Sequence, residues 1–411
     1  MVKTPQLYKL GFLLRPKIFY TINTIMKKYD VIIIGAGASG LFAATYAERN
    51  GNRVAIIDMG NTPARKVAVS GGGRCNFTNM AASVDRYFGK NQQFVRGALA
   101  RFSPANMLVW MQEHNLGIIE KAPGQYFCTN GAKAVVNALI DDIHKTEFIT
   151  NTMVNDVDKQ NDTFIVHTTN GDFQSNKVII ATGGTSFANL GVSDIGHKIA
   201  RKFGHKIVPI RPALCQIKTN IFPPELAGIS MSVSIRVGRE TINDDMIITH
   251  NGIGGPATYR ATVRDIDNDI IVNLAPNTDM YEFLDAYKHK NGKKSLAGAV
   301  AEKIPERVAH WICGDKQSVR IADLRDLELR DIANKINSVV IPLSNIKFYS
   351  IDSAEVVRGG VDTADISSKT MESKLCSGLY FTGEVIDIAG DLGGFNLHWA
   401  WASGFTAGNV I

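Results

Sequence analysis

Residues 29–58 carry the pattern of a complete βαβ unit, and this unit restricts the fold more than any other part of the chain. Its two continuous apolar runs are typical of parallel strands that are buried on both faces. Gly35, Gly37 and Gly40 follow the first run and open a helix, where they are expected to permit a tight turn, close approach to a pyrophosphate and close packing of helix on strand. Asp58 ends the second run, in the position of an acid that accepts hydrogen bonds from a ribose hydroxyl. The unit therefore predicts a dinucleotide-binding α/β domain.

The choice of dinucleotide stays open at this point. Asp58 disfavours a 2′-phosphate, so NADP is disfavoured, whereas NAD and FAD both remain. The free N–H groups and the partial positive charge at the helix N-terminus suit the phosphates of either molecule. The alternative, a glycine-rich turn without a ligand, does not explain why strand, glycines, helix and terminal acid occur together.

The net positive charge of the chain is concentrated at its start. The chain has 411 residues, which is long enough for two or three domains, and it contains 45 Lys or Arg against 39 Asp or Glu. Six of the positive residues precede the first acid, Asp30, so the remaining body is electrically balanced. Nucleic-acid binders keep a basic excess in the folded body. The composition therefore predicts no nucleic-acid partner.

Residues 1–28 are either a basic organellar presequence or the result of a start codon assigned too early. We favour the second interpretation because Met26 leads directly into the first strand.

No apolar stretch reaches the roughly 18–20 residues that span a bilayer. The five cysteines form no CxxC pair, and the nine histidines show no HExxH or other metal spacing. These patterns predict a cytoplasmic protein with no membrane association, no disulfide framework and no metal.

A second glycine-rich segment, SGGGRCNFTN, occupies residues 70–79. Glycine loses more backbone entropy on folding than any other residue, so three in succession, residues 71–73, are expected where main chain must approach a flat or phosphorylated ligand. Arg74 and Asn76 place a charge and an amide beside that contact. A flexible surface loop is the alternative, although such loops seldom contain cysteine and phenylalanine among their glycines.

Two further pairs of glycines follow apolar strands. Residues 183–184 come after the run VIIAT, and ligands bind at the carboxyl ends of strands in open α/β sheets. Residues 393–394 open a helix whose N-terminus would stabilise negative charge on a reduced flavin. Glu384 and Asp387, in the polar turn before that helix, are candidates to hold ribityl hydroxyl groups.

The middle of the chain changes character and is interpreted as an insertion. Residues 206–278 contain short β-type runs punctuated by Pro and Gly, which are typical of a small barrel or sandwich. Residues 279–346 are helical and charged in pattern. The insertion would divide the nucleotide-binding domain into a first part, residues 29–205, and a second part, residues 347–411. Residues 250–256 resemble a second nucleotide fingerprint but have proline where the helix should begin, so a turn is expected there.

These motifs resemble those of the HI0933-like flavoproteins, also described as BaiN/RdsA-type NAD(P)/FAD-dependent oxidoreductases or as aminoacetone oxidase family FAD-binding enzymes. The resemblance covers residues 29–411, and its most specific marks are SGGGRCNFTN and TGEVIDIAGDLGGFN. It implies an α/β fold with a glutathione-reductase-like FAD-binding Rossmann domain, into which a β-barrel module and a small helical module are inserted.

The resemblance also implies which residues hold FAD. By motif, the residues that would hold the ADP half are Gly35, Gly37, Ser39, Gly40 and Asp58. Those that would hold or line the flavin half are Lys66, Gly72, Arg74, Asn76, Gly183, Gly383, Glu384, Asp387, Gly394, Phe395 and Asn396. The further cofactor-binding positions predicted beside these motifs are Ala38, Met59, Gly71, Gly73, Cys75, Val154, Ala181, Thr182, Gly184, Gly393 and Leu397.

The chain departs from the family pattern at three places. It has PGQYF at residues 123–127 where the family usually has a GRVFP-like segment, and VSDIG at residues 192–196 where a TGDG-type turn is usual. It has His398 where glutamine is common. Because the cofactor motifs are intact, these differences affect the expected substrate rather than the cofactor.

The motifs and the resemblance predict an FAD-dependent oxidoreductase that transfers hydride between flavin N5 and a small organic substrate, by amine oxidation or enone reduction. NAD(P)H is considered as a transient electron donor, and no oligomeric state is indicated. His398 is a candidate proton donor, with a hydrogen-bonded structural histidine as the alternative. Cys75 is less favoured as a nucleophile. Two other classes stay open: a flavin-dependent RNA-modifying protein and a flavin-binding sensor without turnover.

Overall fold

A computed structural model describes residues 26–187 and 190–411 of the chain. The leader or mis-called start predicted at residues 1–28 lies outside the described residues except at its end, where the first strand begins at Lys27. No helix among the described residues is long and apolar enough to cross a membrane.

The helices and strands alternate in the first part of the chain, and strands dominate its middle. The strands are β1 (Lys27–Ile34), β2 (Val54–Ile57), β3 (Asn76–Asn79), β4 (Tyr87–Phe88), β5 (Ile118–Ala122), β6 (Gln125–Cys128), β7 (Glu147–Ile149), β8 (Val154–Gln160), β9 (Thr163–Thr168), β10 (Gly171–Ile180), β11 (Ile207–Ala213), β12 (Ile217–Lys218), β13 (Ser230–Val237), β14 (Glu240–Thr249), β15 (Gly252–Gly254), β16 (Ile270–Asn273), β17 (Val339–Ile341), β18 (Lys347–Phe348), β19 (Val356–Val361), β20 (Leu379–Phe381) and β21 (Ala389–Gly390). The helices are α1 (Ala38–Arg49), α2 (Arg65–Gly73), α3 (Arg96–Arg101), α4 (Pro104–Glu113), α5 (Ala132–Asp141), α6 (Ile195–Lys202), α7 (Pro256–Thr262), α8 (Met280–Asn291), α9 (Leu296–Val300), α10 (Glu306–Cys313), α11 (Asp326–Asn337) and α12 (Phe395–Val410).

A mixed seven-stranded sheet forms the centre of the nucleotide-binding part. Its strands lie in the order β7-β2-β1-β10-β9-β8, and β20 also pairs with β10. β1 pairs in parallel with β2 and β10, so that Ile33 lies opposite Ile56 and Ile179, as the βαβ pattern predicts. β10 is long enough for its first half to pair antiparallel with β9 and its second half to pair in parallel with β20. β20 and β1 therefore run in the same direction, and both end at the edge of the sheet where the first glycine turn lies.

α12 packs against α1 on one face of this sheet, and glycines make the close approach possible. A Cβ atom at Gly404 would lie 2.5 Å from the carbonyl oxygen of Ser39, and one at Gly408 would lie 2.4 Å from that of Ala43. Any larger residue at these positions would push the helices apart. The last helix is thereby fixed to the helix that follows the first glycine turn.

The inserted segment has its own hydrophobic core, which lies between an antiparallel sheet and the helices α8–α11. The sheet has the strand order β17-β16-β13-β14-β15-β12-β18. Leu284 and Leu329 of the helices belong to the same buried cluster as Val272 of the sheet. The β-rich and helical parts of the insertion thus share one core.

Two local expectations for the insertion are corrected by the structure. β17 lies inside residues 279–346, which are helical in pattern, but it pairs with β16 as a strand of the sheet. Residues 250–256 contain the expected turn only at residues 250–251; β15 follows it, and α7 begins at Pro256, because proline suits the first turn of a helix, where its missing N–H has no partner. The sheet pairings run from β17 to β18. No pairing within the described residues joins these two end strands as a closed barrel would require.

Candidate active site

In the first glycine turn, the fold requires glycine at two positions but not at the third. Gly35 has a φ of +108°, and a Cβ atom there would lie 2.5 Å from the carbonyl oxygen of Ala181; one at Gly40 would lie 2.0 Å from that of Gly35. Gly37 differs, because its φ is −81° and the nearest atom to an added Cβ is 4.0 Å away. The missing side chain of Gly37 therefore leaves space that no part of the protein fills.

Asp58 is held beside this turn by main-chain donors and one arginine. Its Oδ2 accepts a hydrogen bond from the N–H of Ala36 at 2.7 Å, and its Oδ1 accepts from the N–H of Gly60 at 2.7 Å and from Arg65 Nη2 at 2.9 Å. An ionised carboxylate has about four acceptor positions, so one remains for a further donor such as a ribose hydroxyl. Arg65, which also donates to the carbonyl oxygen of Leu190, is a site residue that the motifs did not indicate.

A cavity opens next to Asp58, between the carboxyl ends of β1, β2 and β10. Its volume is about 60 Å³, and it is partly open to solvent. Five of the predicted cofactor-binding residues line it: Gly35, Asp58, Met59, Val154 and Thr182. The position is that of a ligand site at strand ends, as expected for an open α/β sheet.

The second glycine segment presents exposed main chain. Although residues 65–73 are assigned to α2, Ser70 is extended and Gly71 and Gly72 have positive φ values, so the helix is interrupted there. Cβ atoms added at Gly72 and Gly73 would meet nothing within 4 Å. Residues 71–74 are exposed, whereas Cys75 is completely buried.

Lys66 and Glu384 join this segment to the C-terminal part. Lys66 Nζ donates to Ser186 Oγ at 2.9 Å and to Glu384 Oε2 at 3.2 Å, and Glu384 Oε1 accepts from the N–H of Val357 at 3.0 Å. Gly184, in the segment that follows β10, lies next to the same carboxylate, because a Cβ atom there would lie 2.6 Å from it. Glycine segments that are far apart in the sequence therefore meet around one site.

The turn before α12 completes the arrangement. Gly394 has a φ of +92°, and a Cβ atom there would lie 2.6 Å from the carbonyl oxygen of Thr78, in β3. Asn396 fixes the turn, since its Oδ1 accepts from the N–H of Gly390 at 2.7 Å and its Nδ2 donates to the carbonyl oxygen of the same residue at 3.0 Å. The N-terminus of a sixteen-residue helix is thus held against β3, the strand that follows the glycines at residues 71–73.

The residues at this site fit a flavin nucleotide. Main chain without neighbouring side chains is available at Gly37, at residues 72–73 and at Gly183, where an added Cβ atom would again meet nothing within 4 Å. Among the described residues, the buried Oδ1 of Asn76 has no hydrogen-bond partner. An unpaired buried acceptor is costly unless a ligand donor reaches it.

Comparison with known proteins identifies the family. Residues 29–410 match the family described as HI0933-like protein Rossmann domain. The chain belongs to the HI0933-like family. The predictions of a Rossmann-type FAD-binding fold and of a flavin-dependent oxidoreductase are thereby confirmed.

Curated relatives are similar to the chain over nearly its whole length. Two are named ribosomal RNA dihydrouridine synthase, and each is 35% identical to this chain. The match to the Escherichia coli protein covers 92% of this chain and 96% of the relative. The match to the Haemophilus influenzae protein covers 92% of this chain and 98% of the relative. A third, the 3-dehydro-bile acid delta(4,6)-reductase of Clostridium scindens, is 28% identical over 92% of this chain and 98% of the relative.

Other residues predicted for the site of this HI0933-like protein contact main chain or the core. Asp387 is buried, and its carboxylate accepts from the N–H of Lys90 at 2.8 Å and from that of Gly359 at 3.2 Å; burial raises its pKa. Phe395 is buried below the glycine turn, and Leu397 packs at the edge of the core. The ring of Phe395 lies edge-on to that of Tyr87.

The structure favours structural roles for the two side chains considered for chemistry. His398 is completely buried, its Nδ1 lies 3.0 Å from Thr78 Oγ1 and its ring stacks on Phe102. Burial lowers the pKa of His398 to about 4, so it is neutral near pH 7 and has no proton to donate as a cation. Burial raises the pKa of Cys75 to about 12, so its thiol stays protonated. For His398 these contacts favour the alternative of a hydrogen-bonded structural histidine.

The buried histidine leads to a prediction about acid stability. Between pH 6.5 and pH 4 the unfolded chain protonates His398 while the folded protein does not, so the free energy of unfolding should fall as the pH falls through this range. In wild type, His398 should contribute about 1.4 kcal/mol per pH unit to this fall in the free energy of unfolding. We expect His398→Gln to lack that contribution. Urea unfolding at pH 7 and pH 5 measures it. His289→Gln, at a histidine with 76% side-chain exposure, is the control, and equal pH slopes in wild type and His398→Gln would contradict the prediction.

A charged cluster that the motifs did not indicate lies under the glycine turn. Asp391 is completely buried, and its Oδ2 is 3.1 Å from Arg86 Nη1, 3.1 Å from Arg260 Nη1 and 3.8 Å from Arg264 Nη2. Arg260 is in α7 of the insertion and Arg264 follows that helix. Asp391 therefore connects α7 and the residues after it to the turn that begins at Gly393. Among the described residues, no group of three or more His, Cys, Asp or Glu is placed to hold a metal.

Proposed function

We propose that this protein reduces a carbon–carbon double bond conjugated with a carbonyl group, and that its substrate is a uridine of ribosomal RNA, with NAD(P)H as the electron donor. When bound, FAD supplies the hydride. The single observation that carries the flavin assignment is the meeting of separate glycine segments around Glu384 and the start of α12. We place the reaction in the cytoplasm, where ribosomal RNA is found.

The names of the relatives support this class of reaction. Dihydrouridine is uridine in which the C5–C6 double bond of uracil, conjugated with the C4 carbonyl, has been saturated. A delta(4,6)-reductase of a 3-dehydro-bile acid likewise acts on double bonds conjugated with a ketone. We choose uridine because the two relatives named for it are 35% identical to the chain, against 28% for the bile acid reductase.

The residues of the chain would bind and orient the cofactor in this scheme. The N-terminus of α1 offers its free N–H groups to the pyrophosphate, with Gly37 leaving the space for close approach. Asp58 has an acceptor position for the ribose. The N-terminus of α12 would favour negative charge on the reduced ring if the ring lies beside it.

The proposal revises the expectation of no nucleic-acid partner. That expectation rests on the balanced charge of the whole body, which averages over all its surfaces. A substrate strand meets only the surface beside the site, so local cations matter more than the total. A small conjugated ketone remains the second candidate, favoured by the name of the third relative.

Mass spectrometry of ribosomal RNA tests the proposal. Purified protein is incubated with NADPH or NADH and ribosomal RNA from cells that lack the gene, and nucleosides are analysed after digestion. We expect new dihydrouridine that requires both protein and nicotinamide; reactions without nicotinamide are the control. Absence of dihydrouridine together with turnover of a 3-oxo-4,6-diene steroid or of an amine would contradict the assignment of the substrate.

A further inference from the structure

One face of the small sheet β3-β6-β5 extends from the glycine segments to the protein surface. Phe127 in β6 lies directly opposite Asn76 of β3 and Ile119 of β5 in the two antiparallel ladders, so the three side chains share this face. Asn76 is the residue whose buried Oδ1 has no partner among the described residues. The face therefore begins at the proposed flavin site.

Two cations without acidic partners lie on the same face. Lys121 Nζ is 5.2 Å from the centre of the Phe127 ring, and the guanidinium of Arg74 is 6.0 Å from it. Within residues 26–187 and 190–411, neither cation makes a salt bridge, and both are exposed. Glu120, next to Lys121, is used on the opposite face, where it accepts from the N–H of Gly124 at 2.7 Å and from the hydroxyl of Tyr126 at 3.2 Å.

Apolar surface accompanies these cations. Ile119 is 43% exposed, and the ring of Phe127 is half-buried against the second glycine segment, 3.1 Å from where a Cβ atom of Gly71 would lie. An aromatic ring with unpaired cations beside it is the combination that binds single-stranded nucleic acid, in which bases stack on the ring and phosphates meet the charges. A small neutral substrate would gain nothing from the cations.

We infer that this face, consisting of Arg74, Ile119, Lys121 and Phe127, binds the RNA strand that flanks the target uridine. The inference rests on the proposed function and names where its substrate lies. A base packs against Phe127 and Ile119, and the neighbouring phosphates pair with Lys121 and Arg74. The strand then runs toward Asn76 and the glycine segments, where its uridine meets the reducing site.

Two variants test the inference, with labelled fragments of ribosomal RNA as the probe and fluorescence anisotropy as the measurement. Phe127→Leu should weaken binding by about tenfold, since a stacked base contributes on the order of 1–3 kcal/mol. Lys121→Gln should lower the slope of log affinity against log salt concentration by about 0.7, as expected for one phosphate contact on a single strand. FAD content and the flavin absorption spectrum should stay unchanged in Lys121→Gln, because Lys121 lies outside the cofactor motifs.

A second basic surface supplies the matched control. Residues 288–294 with Arg320 line a cavity of about 590 Å³ on the helical part of the insertion, away from every glycine segment of the site. Lys293→Gln removes one exposed charge there and should leave the salt slope unchanged. A lowered slope in Lys293→Gln with a normal slope in Lys121→Gln would move the strand to that surface and overturn the inference.

The outcomes distinguish the inference from the proposed function. If wild type neither binds ribosomal RNA nor forms dihydrouridine, the proposed function is wrong. If wild type does both and the Lys121 and Phe127 variants match it, the function stands and the inference is wrong. If Phe127→Leu loses FAD through misfolding, the salt slope of Lys121→Gln alone decides.

Discussion

Replacing Gly37 with alanine is expected to weaken FAD binding by at least about tenfold while leaving the stability of the FAD-free protein within about 0.5 kcal/mol of wild type. The first reason is that an added Cβ atom at Gly37 would have no protein atom closer than 4.0 Å. The second is that the φ of Gly37, −81°, is one that alanine adopts readily. The fold therefore tolerates the methyl group, and only a ligand pressed against the main chain would clash with it.

Gly40→Ala is the matched comparison within the same turn. Its Cβ atom would lie 2.0 Å from the carbonyl oxygen of Gly35 and 3.2 Å from the Cβ atom of Ala181. We expect this variant to lose about 3 kcal/mol or more of unfolding free energy even without FAD, because the backbone of the turn must shift. Urea unfolding of FAD-free protein and FAD titration by fluorescence quenching separate the two effects. Wild-type FAD affinity in Gly37→Ala would show that the pyrophosphate does not approach this glycine.

The first βαβ unit was predictable because its determinants are local. Strand, turn, helix and second strand follow one another in the sequence, and the apolar runs directly specify buried parallel strands. Even so, the need for glycine at position 35 comes from the carbonyl oxygen of Ala181, which no local pattern contains. The pattern identified the glycines, and the structure separates those that the fold requires from Gly37.

The meeting of distant segments was not derivable from residue patterns. Lys66 and Glu384 are 318 positions apart, and nothing in either motif states that their side chains meet. The resemblance to a family assigned both residues to one cofactor, which amounts to an expectation of proximity. Arg65 was not predicted as a site residue, because its partner Asp58 was interpreted only as an acceptor for ribose.

Short strands and mixed segments limit what periodicity can reveal about the insertion. β12 and β18 contain two residues each, too few to show an alternating pattern. β17 directly follows the charged helix α11, so it was absorbed into the predicted helical segment. Its place in the sheet depends on pairing with β16, more than sixty residues earlier.

Asp391 shows most clearly how burial changes the role of a residue. In the sequence it is an acid before two glycines, and a solvated turn is a sufficient explanation. In the structure its side chain has no exposure and faces Arg86, 305 positions away, together with two arginines of the insertion. A carboxylate in such a place is expected only where charged partners compensate its loss of water.

Replacing Asp391 with asparagine should therefore lower the free energy of unfolding by about 2 kcal/mol, because three arginines lose a buried counter-charge. The loss stays below that of a fully buried pair, since Arg260 also pairs with Asp244 and Arg264 with Glu240. Asp323→Asn is the control: its carboxylate pairs with Arg320, and both side chains are at least half exposed (51% and 65%), so its loss should cost under about 1 kcal/mol. Urea unfolding followed by tryptophan fluorescence measures both variants without screening the charges.

The same substitution should loosen the insertion beside the glycine turn. Arg260 belongs to α7, and its contact with Asp391 holds that helix against the segment that leads into Gly393 and Gly394. We expect faster amide hydrogen exchange in residues 256–262 of Asp391→Asn, with unchanged exchange in α5. FAD should also dissociate faster, since the turn that opens α12 loses its anchor. Wild-type stability and wild-type exchange in α7 would mean that the three arginines are satisfied without this carboxylate, and that the insertion is positioned by its apolar contacts alone.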